Sequence, residues 1–409
     1  GAVLAPAILW SDQRTAAECR EIEALLGVAE LIALTGNRAL PGFTAPKLMW
    51  VRRHWPDVYR RAERMLLPKD FLRLRLSETY ATDVSDASGT LLFDVRRRCW
   101  SETMLHALGI APRLLPAAVE GTLPTGAVSE RASIETGLKA GTPVIAGGSD
   151  NAAAAIGLNA VDPGLLTLSM GTSGVLFAPL DRYPAEVDGR LHVFCHALPE
   201  RWHFMAVTLS AGGSLRWLRD LLQPVSTADG DAAYAWLVAR AAEAPAGSDG
   251  LIFLPYLTGE RTPHADPNAR GVFFGLHLGH RLEHLVRSVL EGVAFSQREG
   301  LELMRRAGAT ADLARGAGGG LNSAVWRQIL ADVLDLSIQT PASGAGAARG
   351  AAVLAGLSVG VYSTPDVGVS WAEQASVRPD VRAQAVLQRS FSVYSALYPS
   401  LAGVFAASA

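Results

Sequence analysis

The spacing of apolar residues alternates along the chain between short continuous runs and wider helical periods. Short runs bounded by Gly or Pro predict strands, and apolar residues recurring every three or four positions predict amphipathic helices. Strands and helices that alternate in this way predict an α/β fold. The predicted strands cover 1–10, 165–169, 174–178, 251–254 and a hairpin over 192–209. The predicted helices cover 15–26, 47–54, 101–108, 151–156, 215–222, 232–242, 284–306 and 322–334.

Two segments need a separate interpretation. Residues 82–90 form a Ser- and Asp-rich stretch, which we interpret as a polar loop. Residues 344–357 are rich in Ala and Gly but carry almost no polar side chains. A linker would be polar, so we expect a close-packed helix there.

The length of the chain sets the expected number of domains. At 409 residues it exceeds one ordinary hydrophobic core, so we expect two domains. We place the boundary just after the short helix at 151–156, which gives a first domain of 1–157 and a second of 158–409. Hydrophobic residues make up 49% and charged residues 19%, values typical of a well-buried globular protein.

Charge and cysteine content argue against several classes of function. The formal net charge is −2 without a basic tail, so nucleic acid is not an expected partner. Cys19, Cys99 and Cys195 form no C-x-x-C pair, which argues against a zinc site and fits a reducing, cytoplasmic environment. No apolar run reaches the roughly 18 residues of a membrane helix, so a membrane is not an expected partner. The oligomeric state stays open, a homodimer included.

The segment 143–174 carries the strongest chemical signal. A predicted strand leads into Gly147 and Gly148, and Asp150 then opens a helix of small residues. Glycines let the backbone turn sharply, and a helix N-terminus favours a negative charge. Asp150 could therefore accept a hydroxyl proton or hold Mg²⁺ through a water molecule. The alternative is an N-cap aspartate that only satisfies backbone N–H groups.

Three glycine turns are candidates for phosphate binding. The turn at 169–174 joins two predicted strands, and its N–H groups and two hydroxyls could wrap a phosphate. The alternative is an ordinary glycine hairpin. Two further clusters, at 211–214 and 318–323, precede predicted helices, whose N-termini can bind anions. None is a Walker A or G-x-G-x-x-G sequence, and each alone is a weak signal.

Two other groups of polar residues have competing interpretations. Glu260 and Arg261 lie on a proline-containing loop, where they could brace an active-site wall or form a surface ion pair of little energetic value. His192, His196 and His203 lie on adjoining predicted strands and suggest a metal site. No carboxylate or cysteine completes that set, so strand alternation is the preferred explanation.

A resemblance to a known family rests on several longer stretches. Residues 255–296 resemble the FGGY carbohydrate kinases, and 271–291 match that family's C-terminal signature throughout. Within the family, the likeness is greatest to enzymes that phosphorylate D-xylulose. The supporting stretches, spread over nearly the whole chain, are ILWSDQR at 8–14, TGN at 35–37, PGFTAPK at 41–47, LPKD at 67–70, SDASGT at 85–90 and GERTPH at 259–264.

The resemblance implies a fold and a set of site residues. It implies two actin/hexokinase-like (ribonuclease H-like) α/β domains, each with a mixed sheet, and an inter-domain cleft in which ATP and sugar meet. It implies that Asp150 is the general base, that Asn151 and Trp10 contact the sugar, and that Mg²⁺ takes part. The residues that it implies for ATP binding are Gly171, Thr172, Ser173, Gly212, Gly213, Gly319, Gly320 and Ser323.

One departure from the family pattern concerns the first domain. Family members begin with a strand carrying Asp-x-Gly-Thr, and a later segment supplies a Met-His pair to the sugar pocket. Neither sequence occurs in this chain. We therefore expect the first domain to lack the N-terminal portion of the family pattern, including its first strands.

The resemblance implies ATP-dependent phosphorylation of a ketopentose, with D-xylulose to D-xylulose 5-phosphate as the first hypothesis. Two alternatives stay open. The substrate could be another sugar or polyol, such as glycerol, gluconate or ribulose. The chain could also be an inactive nucleotide-binding fragment, which the absence of the first loop favours.

Overall fold

A computed structural model describes residues 1–185, 187–222, 230–342, 345–369 and 371–408. No helix in these ranges is both long and apolar enough to cross a bilayer. The helices are α1 (Ala16–Leu26), α2 (Val28–Thr35), α3 (Thr44–His54), α4 (Pro56–Arg61), α5 (Pro68–Ser77), α6 (Val84–Ser88), α7 (Glu102–Leu108), α8 (Glu130–Thr136), α9 (Asp150–Gly157), α10 (Gly212–Leu222), α11 (Gly230–Ala241), α12 (Leu282–Arg306), α13 (Ala324–Leu334), α14 (Ala347–Ser358) and α15 (Val381–Ala407).

Strands alternate with these helices, which confirms the predicted α/β class. They are β1 (Ala81–Asp83), β2 (Phe93–Asp94), β3 (Cys99–Trp100), β4 (Ala117–Val119), β5 (Pro124–Ala127), β6 (Pro143–Ile145), β7 (Gly164–Met170), β8 (Gly174–Leu180), β9 (His192–Cys195), β10 (Trp202–Thr208), β11 (Ile252–Leu254), β12 (Val272–Phe274), β13 (Ala311–Ala317), β14 (Ser337–Pro341) and β15 (Trp371–Val377).

The chain forms two compact units, and each unit draws on more than one stretch of sequence. The boundary predicted at residue 157 stays a prediction. The first unit comprises Gly1–Val161, Pro179–Phe204 and Gly346–Gly368, and the second comprises Asp162–Ala178, Met205–Ala345 and Val369–Ala409.

Helices dominate the first unit, around a core that includes Ile22, Leu31 and Leu92. Six of its strands pair in twos: β1 runs parallel to β4, and the pairs β2–β3 and β5–β6 are antiparallel. In the described part of this unit they do not form the mixed sheet that the resemblance implied. The predicted hairpin is confirmed, since β9 lies beside β10 and the N–H of His196 donates to the carbonyl of Arg201 at 2.9 Å.

The second unit contains a mixed sheet, as expected for its domain. Six of its strands lie in the order β15, β14, β13, β7, β8 and β10. The pairs β7–β13 and β13–β14 are parallel, whereas β7–β8 and β14–β15 are antiparallel. The predicted long helix at 284–306 is confirmed as α12, and its apolar face is buried. The carboxyl ends of β7 and β13 therefore lie side by side, which is where α/β sheets commonly bind ligands.

Close packing of α9 against α14 explains the Ala- and Gly-rich sequences of both helices. A Cβ on Gly350 would lie 1.7 Å from the carbonyl oxygen of Ala153, and one on Gly157 would lie 2.0 Å from that of Gly346. Only glycine permits such an approach. The predicted close-packed helix is confirmed, although it begins at Ala347 and residues 343 and 344 lie outside the described residues.

Two local predictions are wrong. Residues 1–10 contain no strand in the structure, because the apolar run has no neighbouring described strand with which to pair. The polar stretch at 82–90 is not a loop, since it supplies the end of β1 and the whole of α6. There the Asp83 side chain accepts the backbone N–H groups of Ser85 and Asp86 and caps the helix.

Candidate active site

Asp150 is the first residue of α9 and follows a sharp glycine turn in the first unit. Gly147 adopts a φ of 83°, a conformation that residues with a Cβ rarely adopt. A Cβ on Gly148 would lie 2.7 Å from the Cβ of Ala197. The turn and the small-residue helix predicted from the sequence are confirmed, and the backbone requires both glycines.

The carboxylate of Asp150 is exposed and makes only local contacts within the described residues. Its Oδ1 accepts the backbone N–H of Asn151 at 2.7 Å and the side-chain amide of Asn151 at 2.9 Å. The N-cap residue of α9 is Ser149, so the interpretation of Asp150 as an N-cap is wrong. The first turn of the helix places partial positive charge beside the carboxylate. Asp150 is thus accessible to a hydroxyl group of a bound ligand.

The two predicted sugar contacts belong to the same unit as Asp150. Asn151 is half-buried, and its amide is held by the Asp150 carboxylate. Trp10 lies in a turn before α1 with 63% of its surface exposed. Both side chains are accessible, and their contact with a sugar stays a prediction.

In the second unit, the loop 171–173 joins β7 to β8. Met170 pairs with Gly174 across the two antiparallel strands, and the N–H of Gly171 donates to the carbonyl of Ser173 at 3.0 Å. Gly171 and Thr172 are exposed. The glycine hairpin is therefore present as predicted, and its binding of a phosphate stays a prediction.

The start of α10 is bonded to this loop through the backbone. The N–H of Gly212 donates to the carbonyl of Gly171, and the N–H of Gly213 donates to that of Thr172, both at 2.9 Å. A Cβ on Gly212 would lie 2.5 Å from the Gly171 carbonyl oxygen. These bonds use two of the N–H groups that a helix N-terminus ordinarily offers to an anion.

The third glycine turn lies next to the first. Because β13 runs parallel to β7, with Ala317 paired to Ser169, the turns that follow the two strands are neighbours. Gly318 has a φ of 111°, and a Cβ there would lie 2.6 Å from the carbonyl oxygen of Met170. A Cβ on Gly319, in contrast, would meet no atom within 4 Å. The structure therefore brings the three predicted glycine turns together in the second unit.

Arg216 lies beside the first of these turns and was not among the residues predicted from the sequence. Its Nη2 donates to Oγ1 of Thr172 at 2.6 Å, and its side chain is exposed. The segments 169–174, 210–214 and 318–323 contain no charged residue. Arg216 thus supplies a positive charge that the turns lack. The sequence feature that could have identified Arg216 is its position four residues after Gly212, one helical turn into α10.

Ser323 serves as the N-cap of α13. Its hydroxyl oxygen accepts the backbone N–H of Trp326 at 3.1 Å. This capping bond accounts for a serine at this position, and the predicted contact of Ser323 with ATP stays a prediction.

Glu260 is bonded to the strand that leads into the Gly212 turn. Its side chain is only 2% exposed. It accepts the N–H of Leu209 at 3.0 Å and that of Arg261 at 2.7 Å, together with the hydroxyls of Thr208 and Ser296. Burial raises the pKa of Glu260 to about 7, although these donors act in the opposite direction. The interpretation as a surface ion pair is wrong, because Glu260 is buried and bonds to the backbone of Arg261.

The three histidines belong to the core of the first unit. Nδ1 of His192 lies 2.7 Å from Oδ1 of Asn37, and Nδ1 of His196 accepts the N–H of Leu198 at 3.0 Å. Burial lowers the pKa of His196 to about 3. Among the described residues, no group of three or more His, Cys, Asp or Glu could hold a metal ion. The metal interpretation therefore has no support.

Comparison with profiles of known protein families identifies the same family as the sequence motifs do. The profile for the FGGY family of carbohydrate kinases, N-terminal domain, matches residues 1–157, and the profile for the C-terminal domain matches 166–359. The chain belongs to the FGGY family of carbohydrate kinases. Membership implies ATP and a carbohydrate as substrates. The expected absence of the N-terminal portion of the family pattern is not supported, because the first profile matches from residue 1.

Relatives of this FGGY kinase include enzymes named for xylulose and an enzyme named for gluconate. The xylulose kinase of Escherichia coli strain K12 is 41% identical over 98% of this chain and 81% of its own. The gluconokinase of Bacillus subtilis strain 168 is 31% identical over 88% of this chain and 70% of its own. The crystal structure of xylulose kinase from Rhodospirillum rubrum has a TM-score of 0.88 at 32% identity and covers 99% of this chain and 81% of that one.

Proposed function

We propose that this FGGY kinase transfers the γ-phosphoryl group of ATP to the terminal hydroxyl of D-xylulose, giving D-xylulose 5-phosphate and ADP. The relative from E. coli named for xylulose, 41% identical over 98% of the chain, supports this substrate. The observation that carries the chemistry is the exposed carboxylate of Asp150 at the start of α9.

Asp150 acts as the general base in this proposal. A carboxylate within hydrogen-bond reach of the substrate hydroxyl takes its proton as the oxygen attacks. The new bond joins the sugar oxygen to the γ-phosphorus, and the bond from that phosphorus to the β–γ bridging oxygen breaks. Oδ1 of Asp150 is occupied by Asn151, so we assign proton transfer to Oδ2. Asn151 and Trp10 contact the sugar.

The three glycine turns of the second unit bind the nucleotide in this proposal. The N–H groups of Gly212 and Gly213 are already bonded to the 171–173 loop. We therefore assign phosphate binding to the hydroxyls of Thr172 and Ser173 and to the guanidinium of Arg216. Gly171, Gly319, Gly320 and Ser323 border the nucleotide. Arginine suits this role because its planar donor groups match phosphate oxygens.

The donor set fits a Mg²⁺ ion that arrives with ATP. Mg²⁺ retains several waters and is commonly held by one or two carboxylates together with substrate phosphates. Among the described residues, no group of three or more His, Cys, Asp or Glu could hold a metal ion by itself. Asp150 nevertheless offers an exposed carboxylate to a metal-bound water. When present, the ion would neutralise developing phosphate charge.

A panel of acceptors tests the substrate assignment. We expect D-xylulose to give the highest kcat/KM when ADP release is coupled to NADH oxidation, with D-ribulose, gluconate and glycerol as competitors. Gluconate is the second candidate, because the Bacillus subtilis gluconokinase is 31% identical over 88% of the chain. A higher kcat/KM for gluconate would replace D-xylulose as the substrate, and no turnover with any acceptor would overturn the proposed function.

Gly319→Ala tests the nucleotide site independently of the sugar. Since a Cβ at this position meets no protein atom within 4 Å, the protein alone should tolerate the methyl group. A raised KM for ATP with an unchanged melting temperature would support a nucleotide against Gly319. An unchanged KM would remove Gly319 from the site.

A further inference from the structure

Two sequence motifs that support the family resemblance have no role in the proposed mechanism. They are 67–70 and 85–90, and the structure brings them together in the first unit. Nζ of Lys69 lies 2.6 Å from Oδ1 of Asp70, 2.8 Å from Oδ1 of Asp83 and 3.3 Å from Oδ2 of Asp86. Burial acts to lower the pKa of Lys69, but the three carboxylates outweigh it and raise that pKa. The lysine therefore stays charged among them.

Asp83 connects this ion cluster to Ser85. It is fully buried, and its Oδ1 faces Lys69 while its Oδ2 accepts the backbone N–H of Ser85 at 2.7 Å. The hydroxyl of Ser85 donates to the same Oδ2. The hydroxyl proton of Ser85 is thus directed at a carboxylate, which leaves the lone pairs of its oxygen free to accept a hydrogen bond.

Ser85 in turn holds the turn that carries Asp150. Its Oγ accepts the backbone N–H of Ser149 at 2.9 Å across 64 residues of sequence. Ser149 is the N-cap of α9, and Asp150 is the next residue. A hydroxyl that donates to a carboxylate becomes a stronger acceptor, because chained hydrogen bonds polarise one another. The chain of bonds runs from Lys69 through Asp83 and Ser85 to the backbone next to the proposed base.

We propose that Ser85 is a positioning residue for Asp150 and that Asp83 and Lys69 fix Ser85 in its accepting orientation. This proposal rests on the role of Asp150 in the proposed function. Small displacements of a reacting group are costly, since a shift of 1 Å can reduce the rate about a hundredfold. Loss of the bond to Ser149 should therefore reduce kcat and leave the affinity for ATP unchanged.

A matched control lies on the same short helix. Ser88 is as buried as Ser85, donates to the carbonyl of Val84 at 2.7 Å and accepts the N–H of Cys195 at 3.1 Å. Ser85→Ala and Ser88→Ala thus delete similar hydroxyls and should lower the melting temperature by similar amounts. Only Ser85 bonds to the Asp150 turn, so a merely structural role would affect the two variants equally.

The experiment measures kcat, KM for ATP and melting temperature for Ser85→Ala, Ser85→Thr and Ser88→Ala, with Asp150→Asn as the reference. We expect kcat of Ser85→Ala to fall about tenfold, the effect of one lost hydrogen bond. KM for ATP should stay within twofold. Ser85→Thr keeps the hydroxyl and should recover most of the activity, and Ser88→Ala should keep kcat near that of the parent chain.

Each outcome decides a different point. Equal kcat values for the two alanine variants, with Asp150→Asn inactive, would overturn the positioning role while the proposed base survives. An active Asp150→Asn would instead overturn the proposed function. If Ser85→Ala does not fold, Ser85→Cys replaces it, because a thiol has nearly the same size but accepts hydrogen bonds weakly. Full activity of Ser85→Cys would also contradict the proposal.

Discussion

The turn that carries Asp150 and the glycine turns around Gly171 are held in place by different kinds of interaction. Near Asp150, side-chain contacts fix the turn: Ser85 bonds to the backbone of Ser149, Asp83 bonds to Ser85, and the half-buried Lys69 pairs with Asp83. Around Gly171, the backbone bonds to itself, and the Cβ of any residue at Gly212 would collide with the loop.

This difference predicts different responses to substitution. The acid region should be damaged when a side chain is removed, because its geometry depends on hydroxyl and charged groups. The glycine region should be damaged when a side chain is added, because its geometry depends on close backbone approach. In the proposed mechanism the first kind of damage affects chemistry, and the second affects nucleotide binding.

The largest expected effect comes from Asp150→Asn. The amide keeps the shape of the side chain but cannot take the hydroxyl proton, so kcat for D-xylulose should fall about a thousandfold, within the range for a lost general base. Steady-state kinetics with coupled detection of ADP measures this. Turnover within tenfold of the parent chain would remove Asp150 from the chemistry.

The next effect concerns pH and the buried Glu260. Its pKa of about 7 in the folded protein lies above the ordinary 4.5. Between pH 4.5 and about pH 7, the folded state therefore keeps a proton that the unfolded state has released. The stability that this proton contributes is fully present below pH 4.5 and is lost by the time the pH has risen through 7. The side chain of the Glu260→Gln variant cannot titrate. Between pH 4.5 and pH 8, the free energy of unfolding of the parent chain should therefore fall by about 3 kcal/mol relative to that of the variant.

Urea denaturation of both proteins across that pH range measures the difference. The amide of Gln can still accept from the backbone N–H groups of Leu209 and Arg261, which limits other structural change. A constant difference in unfolding free energy across the range would show that Glu260 does not titrate there.

Gly212→Ala tests the glycine region directly. The added methyl group would lie 2.5 Å from the carbonyl oxygen of Gly171, and overpacking of this kind costs about 2 kcal/mol of folding free energy. The 171–173 loop must shift to relieve the contact, and we expect the shift to weaken phosphate binding by a comparable amount. We expect KM for ATP to rise about 30-fold with a smaller change in KM for the sugar. Gly403→Ala on α15, where a Cβ meets no atom within 4 Å, is the matched control. Equal KM values for the two variants would contradict a special role of Gly212.

The smallest effect is expected for Arg216→Ala. Removing the guanidinium takes a positive charge from the proposed phosphate site, so KM for ATP should rise about tenfold, as for one charge-assisted hydrogen bond. Arg240→Ala on α11, which removes a surface arginine paired with Glu243, serves as the control. The rise should shrink at high ionic strength. An unchanged KM would place the phosphates elsewhere.

Much of the local structure could be predicted because single residues determine it. The glycine turn before Asp150, the antiparallel hairpin at 169–174 and the long helix α12 follow from backbone freedom and apolar spacing. The strand predicted for 1–10 failed because a strand requires a pairing partner that the local sequence does not reveal. The Ser- and Asp-rich stretch at 82–90 was misjudged because Asp83 caps a helix instead of opening a loop.

The supporting contacts could not be predicted, because they join residues far apart in sequence. Ser85 and Ser149 are 64 positions apart, and Glu260 contacts Leu209 over 51 positions. Arg216 was overlooked because an arginine in a helix ordinarily signals only a solvated face. Its significance comes from the Thr172 hydroxyl, which the fold brings within 2.6 Å.

Isothermal titration of a nonhydrolysable ATP analogue into Asp150→Asn and Gly212→Ala separates the role of Asp150 in proton transfer from nucleotide binding by the glycine turns. If Asp150 serves the chemistry and the glycine turns hold the nucleotide, Asp150→Asn should bind the analogue with the parent chain's dissociation constant. Gly212→Ala should bind it about 30-fold more weakly. Weakened binding by Asp150→Asn together with unimpaired binding by Gly212→Ala would show that these assignments of Asp150 and the glycine turns are wrong.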